Sequence, residues 1–222
     1  MKILAVDTAL GACSAAVLDG QNILGHRLER MDRGHAERVA PMVREVMETA
    51  GIGFGAIDRL GVTTGPGTFT GQRVGLAFMR GLRIALKRPL IGITTLEAML
   101  AGTLQDSGLE AAAILHDARR DEVYCAASLN ARLVVPVCLL RFEAAVALVW
   151  ETVGKGPLAV GGTAGEKAAA AFRALGGMAH PTGILQPDAL WVARLAIREP
   201  ERDGAPSPLY LRPPDARLPA QQ

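Results

Sequence analysis

The sequence predicts an α/β protein of paired design, in which a first lobe is followed by a second, abbreviated copy. Three observations carry this. ILAVDTALGACSAAVLDGQNILGHRLE (3–29) alternates short apolar runs with glycine-containing breaks. From 35 to 104 the pattern then runs helix, strand, helix, strand, helix. Finally, EAAAILHDARRDEVYCAASL (110–129) reopens with two apolar runs around a charged turn, after which helices and strands alternate again. No internal repeat is visible residue by residue.

Each element has its own signals. The runs 3–6, 13–19 and 23–29 read as an antiparallel meander whose tightest turn is the DG at 19–20. A helix follows over 35–50: Val39, Val43, Val46 and Ala50 share one face, Met42 and Met47 flank it, and Gly51 stops it. RLGVTT (59–64) is a short buried strand. A helix over 71–86 ends at the KRP of 87–89. PLIGITT (89–95) is a strand and LEAMLAGTL (96–104) a helix. QDSG (105–108) is the expected joint, dividing the chain into 1–105 and 106–222. Beyond it, the hairpin leads to helix 142–152, strand 157–162, helix 166–175 and helix 187–199, the last opened by Pro187 and expected to pack back on the first lobe. The tail RPPDARLPAQQ (212–222) reads as loose.

Composition excludes several classes. The formal net charge is +2, too small for a protein that grips nucleic acid unaided. Three cysteines, Cys13, Cys125 and Cys138, without a CxxC pair indicate neither a disulfide framework nor a zinc ribbon and fit a reducing cytoplasm. The apolar run of MKILAVDT is cut at four residues by Asp7, and no run of about 18 apolar residues occurs, so neither leader nor membrane span is expected.

Asp7 ends a strand and is followed by Thr8 and a turn. In actin-like phosphotransferases an acidic residue at this place faces phosphates and Mg²⁺; the plainer reading is that Asp7 and Thr8 satisfy the backbone of a tight turn. A kinase of that class needs a second, glycine-bearing phosphate loop, and HDARRDEVY (116–124) has carboxylates without glycine. GGTAG (161–165) could hold an adenosine. GPGTFTGQRVG (65–75) matches neither GxGxxG nor the P-loop, because Gln72 and Arg73 stand where Lys and Ser/Thr would be. Its elements Gly65, Gly67, Thr68, Phe69, Thr70 and Gly71 form either a phosphate-side turn or a strand-to-helix turn with Thr70 near the N-cap. The four histidines, His26, His35, His116 and His180, lie in separate elements without a metal-binding spacing.

The second helix carries Gly71, Gly75, Phe78, Gly81 and Ala85 at three- and four-residue spacing. Each helical glycine costs roughly 1 kcal/mol relative to alanine, so the stripe predicts close approach of another helix, from this chain or a partner. The first helix is apolar over more than one face, and methionines suit an adaptable interface.

Together ILAVDTALGACSAAVLD, GHAERVAPMVREVMETAG, TTGPGTFTGQRVGLAFMRGL, PLIGITTLEAM, DARRDEVY and the late PLYLR resemble the TsaB (YeaZ) family. The likeness is specific over residues 1–125 and thin over 126–206; Gln72 replaces an expected leucine and Thr68 a common serine. The resemblance implies the actin-like, Hsp70-like (ASKHA) fold in two lobes. It also implies an accessory subunit without a catalytic site of its own, which pairs with a TsaD-type transferase and a TsaE-type ATPase to form threonylcarbamoyladenosine next to the tRNA anticodon. ATP and metal are expected on the partner subunits, and tRNA only through the complex. Partner binding falls to His35, Arg38, Val39, Met42, Val43, Val46, Arg73, Val74, Ala77, Phe78 and Gly81, the same surface serving a homodimer when the chain is alone. Asp7, Thr8 and the 65–71 turn become vestigial phosphate-side turns. Asp117 and Arg119, at the turn between apolar strands, are expected to hold the lobes in register. A small actin-like kinase and a metallopeptidase are the alternatives.

Overall fold

The computed structural model describes residues 1–201 and 204–212; the expected loose tail lies, apart from Arg212, outside them. Three strands, β1 (Lys2–Asp7), β2 (Ala12–Asp19) and β3 (Asn22–Arg30), form the antiparallel meander. Helix α1 (His35–Ala50) ends at left-handed Gly51, whose N–H bonds Glu48 O. Strand β4 (Arg59–Thr63), helix α2 (Phe69–Leu86), strand β5 (Leu90–Ile93) and helix α3 (Thr95–Ser107) complete the first half. The strands order as β3-β2-β1-β4-β5, with β4 parallel to β1 and β5 parallel to β4.

The second half repeats this plan. Strands β6 (Ala111–Asp117), β7 (Glu122–Leu129) and β8 (Arg132–Arg141) form a second antiparallel meander. Helix α4 (Phe142–Val153), strand β9 (Pro157–Gly161), helix α5 (Gly165–Ala174), strand β10 (Met178–Pro181) and helix α6 (Ala189–Ala196) follow. The order β8-β7-β6-β9-β10 mirrors the first sheet. The abbreviation is in the helices, which span 12, 10 and 8 residues against 16, 18 and 13.

Two strands escape the sequence reading. β8 contains Pro136, which removes a ladder donor, and it survives because it is an edge strand; β10 has four residues, too few for a pattern. Residues 105–107 of the expected joint are the last turn of α3, and Gly108 is its left-handed cap. Pro187 precedes α6, whose N-cap is Asp188, bonded from Leu190 N–H.

Helices α1 and α2 cover one face of the first sheet; α4 and α5 cover the outer face of the second. The last helix of each half crosses over. α3 packs on β6, β7 and β9, and α6 packs on β1, β2, β4 and β5. Each half therefore helps to close the other's sheet, and the buried apolar residues form separate clusters on the two faces of each sheet. Among the described residues no helix is long and apolar enough to cross a membrane.

Candidate functional site: the glycine turn and the outer helical face

Asp7, at the C-terminal end of β1, is fully buried. Its Oδ1 accepts from Thr63 Oγ1 at 2.6 Å and from Ala9 N–H at 3.2 Å, while Oδ2 has no hydrogen-bond partner among the described residues. Burial raises its carboxyl pKa to about 7 against the pull of those two bonds. Thr8 is buried beside it and its hydroxyl donates to Gly71 O at 2.7 Å.

The 65–71 turn lies directly on this corner. Thr68 N–H bonds Ala9 O at 2.8 Å. A Cβ at Gly67 would fall 2.3 Å from Ala9 O, one at Gly71 2.2 Å from Thr8 O, and one at Gly75 2.7 Å from Thr8 Oγ1. Those glycines are required because the chain's own β1–β2 turn occupies the space. Gln72, the departure from the usual leucine, reaches back from Nε2 to Gly67 O at 3.0 Å. The N-cap of α2 is Thr68, which accepts from Gly71 N–H at 3.0 Å; Thr70 is inside the helix. The expected helix-to-helix approach is thus corrected at Gly71 and Gly75, which meet a turn, while at Gly81 a Cβ would meet nothing within 4 Å among the described residues.

The GGTAG turn is likewise filled. Gly162 N–H bonds Ile184 O, Ala164 N–H bonds Leu115 O and Gly165 N–H bonds Gly162 O. A Cβ at Gly162 would lie 2.3 Å from Leu115 O. Among the described residues no group of three or more His, Cys, Asp and Glu is placed to hold a metal. His26 Nε2 lies 2.8 Å from Asp188 Oδ1, and burial pushes His116 down to about 4.

The two expected docking helices divide into buried and open residues. Val39 is 2 % exposed, and Met42, Val43 and Val46 are as deeply buried, in the core beneath the sheet. They are corrected from partner contacts to core, because one sheet does cover that face. His35 Nε2 donates to Leu10 O at 2.9 Å, fixing the start of α1. Arg38 forks to Glu29 at 2.5 and 2.7 Å and to Glu45 at 2.8 Å, clamping α1 to β3, and it holds both carboxyls below their usual range. Val74 and Phe78 are half-buried against the same core. Arg73, Ala77, Gly81 and Ile84, one face of α2, remain open. Ile84 is 73 % exposed and was not singled out by sequence, since position on a helix face alone does not tell which side a neighbour covers.

Phe69, 58 % exposed at the start of α2, lies under the Arg73 guanidinium, 3.6 Å from its ring centroid, and stacks with Tyr210 at 6.0 Å. Arg73 Nε donates to Tyr210 Oη at 2.9 Å. The segment around Tyr210 is a strap: Arg80 donates to Pro206 O at 2.5 Å, and Leu209 N–H to Thr64 O at 2.7 Å. At its end Arg212 donates to Ala118 O at 3.0 Å and to the Glu122 carboxylate. Among the described residues, the hydrogen bonds of Asp117 and Arg119 stay in the second half, Asp117 N–H donating to Thr163 Oγ1 at 2.9 Å. Asp117 Oδ1 accepts from Arg119 N–H at 2.8 Å inside the turn, where residues 119–121 all have positive φ. Arg212 ties the strap to this turn, a contact that sequence reasoning missed because the arginine sits in a proline-rich tail.

Two five-stranded mixed sheets of one topology, closed by exchanged helices, define an actin-like protein. Component A of (R)-2-hydroxyglutaryl-CoA dehydratase from Acidaminococcus fermentans shares this fold at TM-score 0.55 and 10 % identity, over 89 % of this chain and 98 % of that one. The chain belongs to the family described as TsaD, tRNA N6-adenosine threonylcarbamoyltransferase, whose model matches residues 23–171, and within it to the TsaB (YeaZ) group. It is 38 % identical to tRNA threonylcarbamoyladenosine biosynthesis protein TsaB of Escherichia coli K12 over 126 residues, 57 % of this chain and 54 % of that protein. A Pseudomonas aeruginosa protein described as similar to peptidase YeaZ superposes with TM-score 0.77 at 29 % identity, over 95 % of this chain and 99 % of its own. The chain spans about half the length of the curated relatives it matches.

Proposed function

We propose that the chain is a non-catalytic partner of a TsaD-type transferase that forms threonylcarbamoyladenosine on the adenosine next to the tRNA anticodon. The observation that supports this most is the filling of the glycine turn: Thr8 and Ala9 carbonyls stand where a phosphate would need open backbone N–H groups. Asp7, buried and largely protonated below neutrality, is a poor ligand for Mg²⁺. In this reading residues 1–105 carry the docking helices, the smaller lobe follows from residue 106 with α6 packed back on the first lobe, and the turns at Asp7 and 65–71 are vestigial. ATP and metal are held by the transferase and a TsaE-type ATPase, and tRNA is met through the complex. The docking surface is the open face of α2, Arg73, Ala77, Gly81 and Ile84, together with the exposed Ala40 and Arg44 of α1. Alone, the chain forms a homodimer through that face.

The test is reconstitution. The chain, a TsaD-type subunit and a TsaE-type subunit are combined with tRNA, ATP and threonylcarbamoyl-adenylate, and the modified nucleoside is quantified. Product is expected only when the transferase is present, with no ATP turnover by the chain alone. Turnover that purifies with the chain and vanishes in Asp7→Ala would show a catalytic subunit instead.

A further inference from the structure

Cys125 on β7 and Cys138 on β8 face each other directly in the antiparallel register. Opposed residues in such a pair have Cα atoms about 4.5–5.5 Å apart, inside the roughly 4.4–6.8 Å that a disulfide spans. Cys138 Sγ lies 3.5 Å from Cys125 O. Both thiols are free. Their settings differ: Cys125 is fully buried in the core under α4, whereas Cys138 is half-buried on the outermost strand of its sheet. One residue of the pair is therefore partly exposed and the other lies wholly inside the core.

We propose that Cys138 and Cys125 form a peroxide-responsive dithiol, Cys138 as the attacking sulfur and Cys125 as the resolving one. The Cys138 thiolate attacks one oxygen of hydrogen peroxide; the O–O bond breaks, hydroxide leaves, and Cys138 becomes a sulfenic acid. The Cys125 thiol then attacks that sulfur. The S–S bond forms as the S–O bond breaks, and the departing hydroxyl takes the Cys125 proton and leaves as water. Two thiols lose two electrons, and one peroxide is reduced to two waters once hydroxide regains the proton that Cys138 had lost. The neighbouring thiols perturb each other in the direction this order needs: Cys125 draws the Cys138 thiol down from its usual range, while Cys138 and burial push Cys125 up. Cys13 is a built-in control, buried in the other lobe with its thiol pushed up to about 12.

The inference is independent of the proposed function. It is tested on the full, folded chain treated with hydrogen peroxide near neutral pH, followed by intact-mass measurement, thiol titration after denaturation, and peptide mapping. The expected product is lighter by about two hydrogens, has one titratable thiol instead of three, yields a linked peptide pair containing residues 125 and 138, and reverts with dithiothreitol. Cys125→Ser should instead gain one or two oxygens at Cys138, and Cys138→Ser should stay unmodified. Wild type that gains oxygen at Cys138 without forming the linked peptide, or keeps three thiols at a peroxide dose that oxidises Cys125→Ser, overturns the proposal. Mapping the wild type keeps the test valid even if a serine variant misfolds.

Discussion

Thr63 donates its hydroxyl to Asp7 Oδ1 at 2.6 Å, across adjacent parallel strands, and leaves the other carboxylate oxygen buried without a partner among the described residues. The bond partly compensates a carboxyl that would otherwise be costlier to ionise. Burial still wins, and the Asp7 pKa rises from 3.8 to about 7.

A carboxyl with a folded pKa above its unfolded one holds its proton more firmly in the folded state. Stability from Asp7 is complete below about pH 4, falls as pH rises toward 7, and levels off above it. At about 1.36 kcal/mol per unit, the loss approaches roughly 4 kcal/mol. Asp7→Asn keeps an acceptor for Thr63 and removes the charge. Urea unfolding at pH 4, 6 and 8 should show the variant more stable than wild type at pH 8, by a few kcal/mol, with the difference vanishing at pH 4. A pH-independent difference would show that Asp7 is not the titrating group.

Glycines of α2 should separate sharply by calorimetry. Gly71→Ala drives a Cβ to 2.2 Å from Thr8 O, backbone that cannot move aside, and should destabilise by several kcal/mol. Gly81→Ala meets nothing within 4 Å among the described residues and gains helix propensity, so the melting temperature should rise, by about 1 kcal/mol of stability. Equal effects of the two substitutions would contradict the packing of the glycine turn on the β1–β2 corner.

The strap makes a comparable contrast. Removing the Arg212 side chain strips Ala118 O and Glu122 of a charged donor that is three-quarters buried and should cost about 1–2 kcal/mol. Arg119→Ala deletes an exposed side chain and should stay within about 0.5 kcal/mol. Amide exchange across residues 118–122 should speed up in Arg212→Ala only. Faster exchange in Arg119→Ala would return the joint to the residue that the sequence had favoured.

These cases show what was legible. The meander, the helices at 35–50 and 71–86 and the second hairpin announce themselves through period and punctuation, because local burial pattern and glycine placement are written along the chain. Val39, Met42, Val43 and Val46 were visible as an apolar face, but which surface covers a face is a tertiary fact; here it is the first sheet. For the same reason Gly71 and Gly75 declared a close approach without declaring that Thr8 makes it. The duplicated topology left no residue-level trace, since two sheets need only the same alternation of apolar positions. Arg212 was hidden because nothing in a lone arginine tells that a turn some ninety residues upstream receives it.

Position 43 offers no information about partners. Val43→Glu places a charge in the core among Val39, Met42 and Val46 and should unfold the chain, which circular dichroism would report before any binding assay.

The open face of α2 carries the central claim, and Ile84, 73 % exposed, is its large apolar residue. The deciding measurement is sedimentation velocity of the chain with a TsaD-type subunit, comparing wild type with Ile84→Glu after both are shown to melt at the same temperature. The account expects wild type to co-sediment as a complex and Ile84→Glu to lose at least about tenfold in affinity, a change of roughly 1.4 kcal/mol. If Ile84→Glu co-sediments with the transferase as tightly as wild type, this face is not where the partner docks.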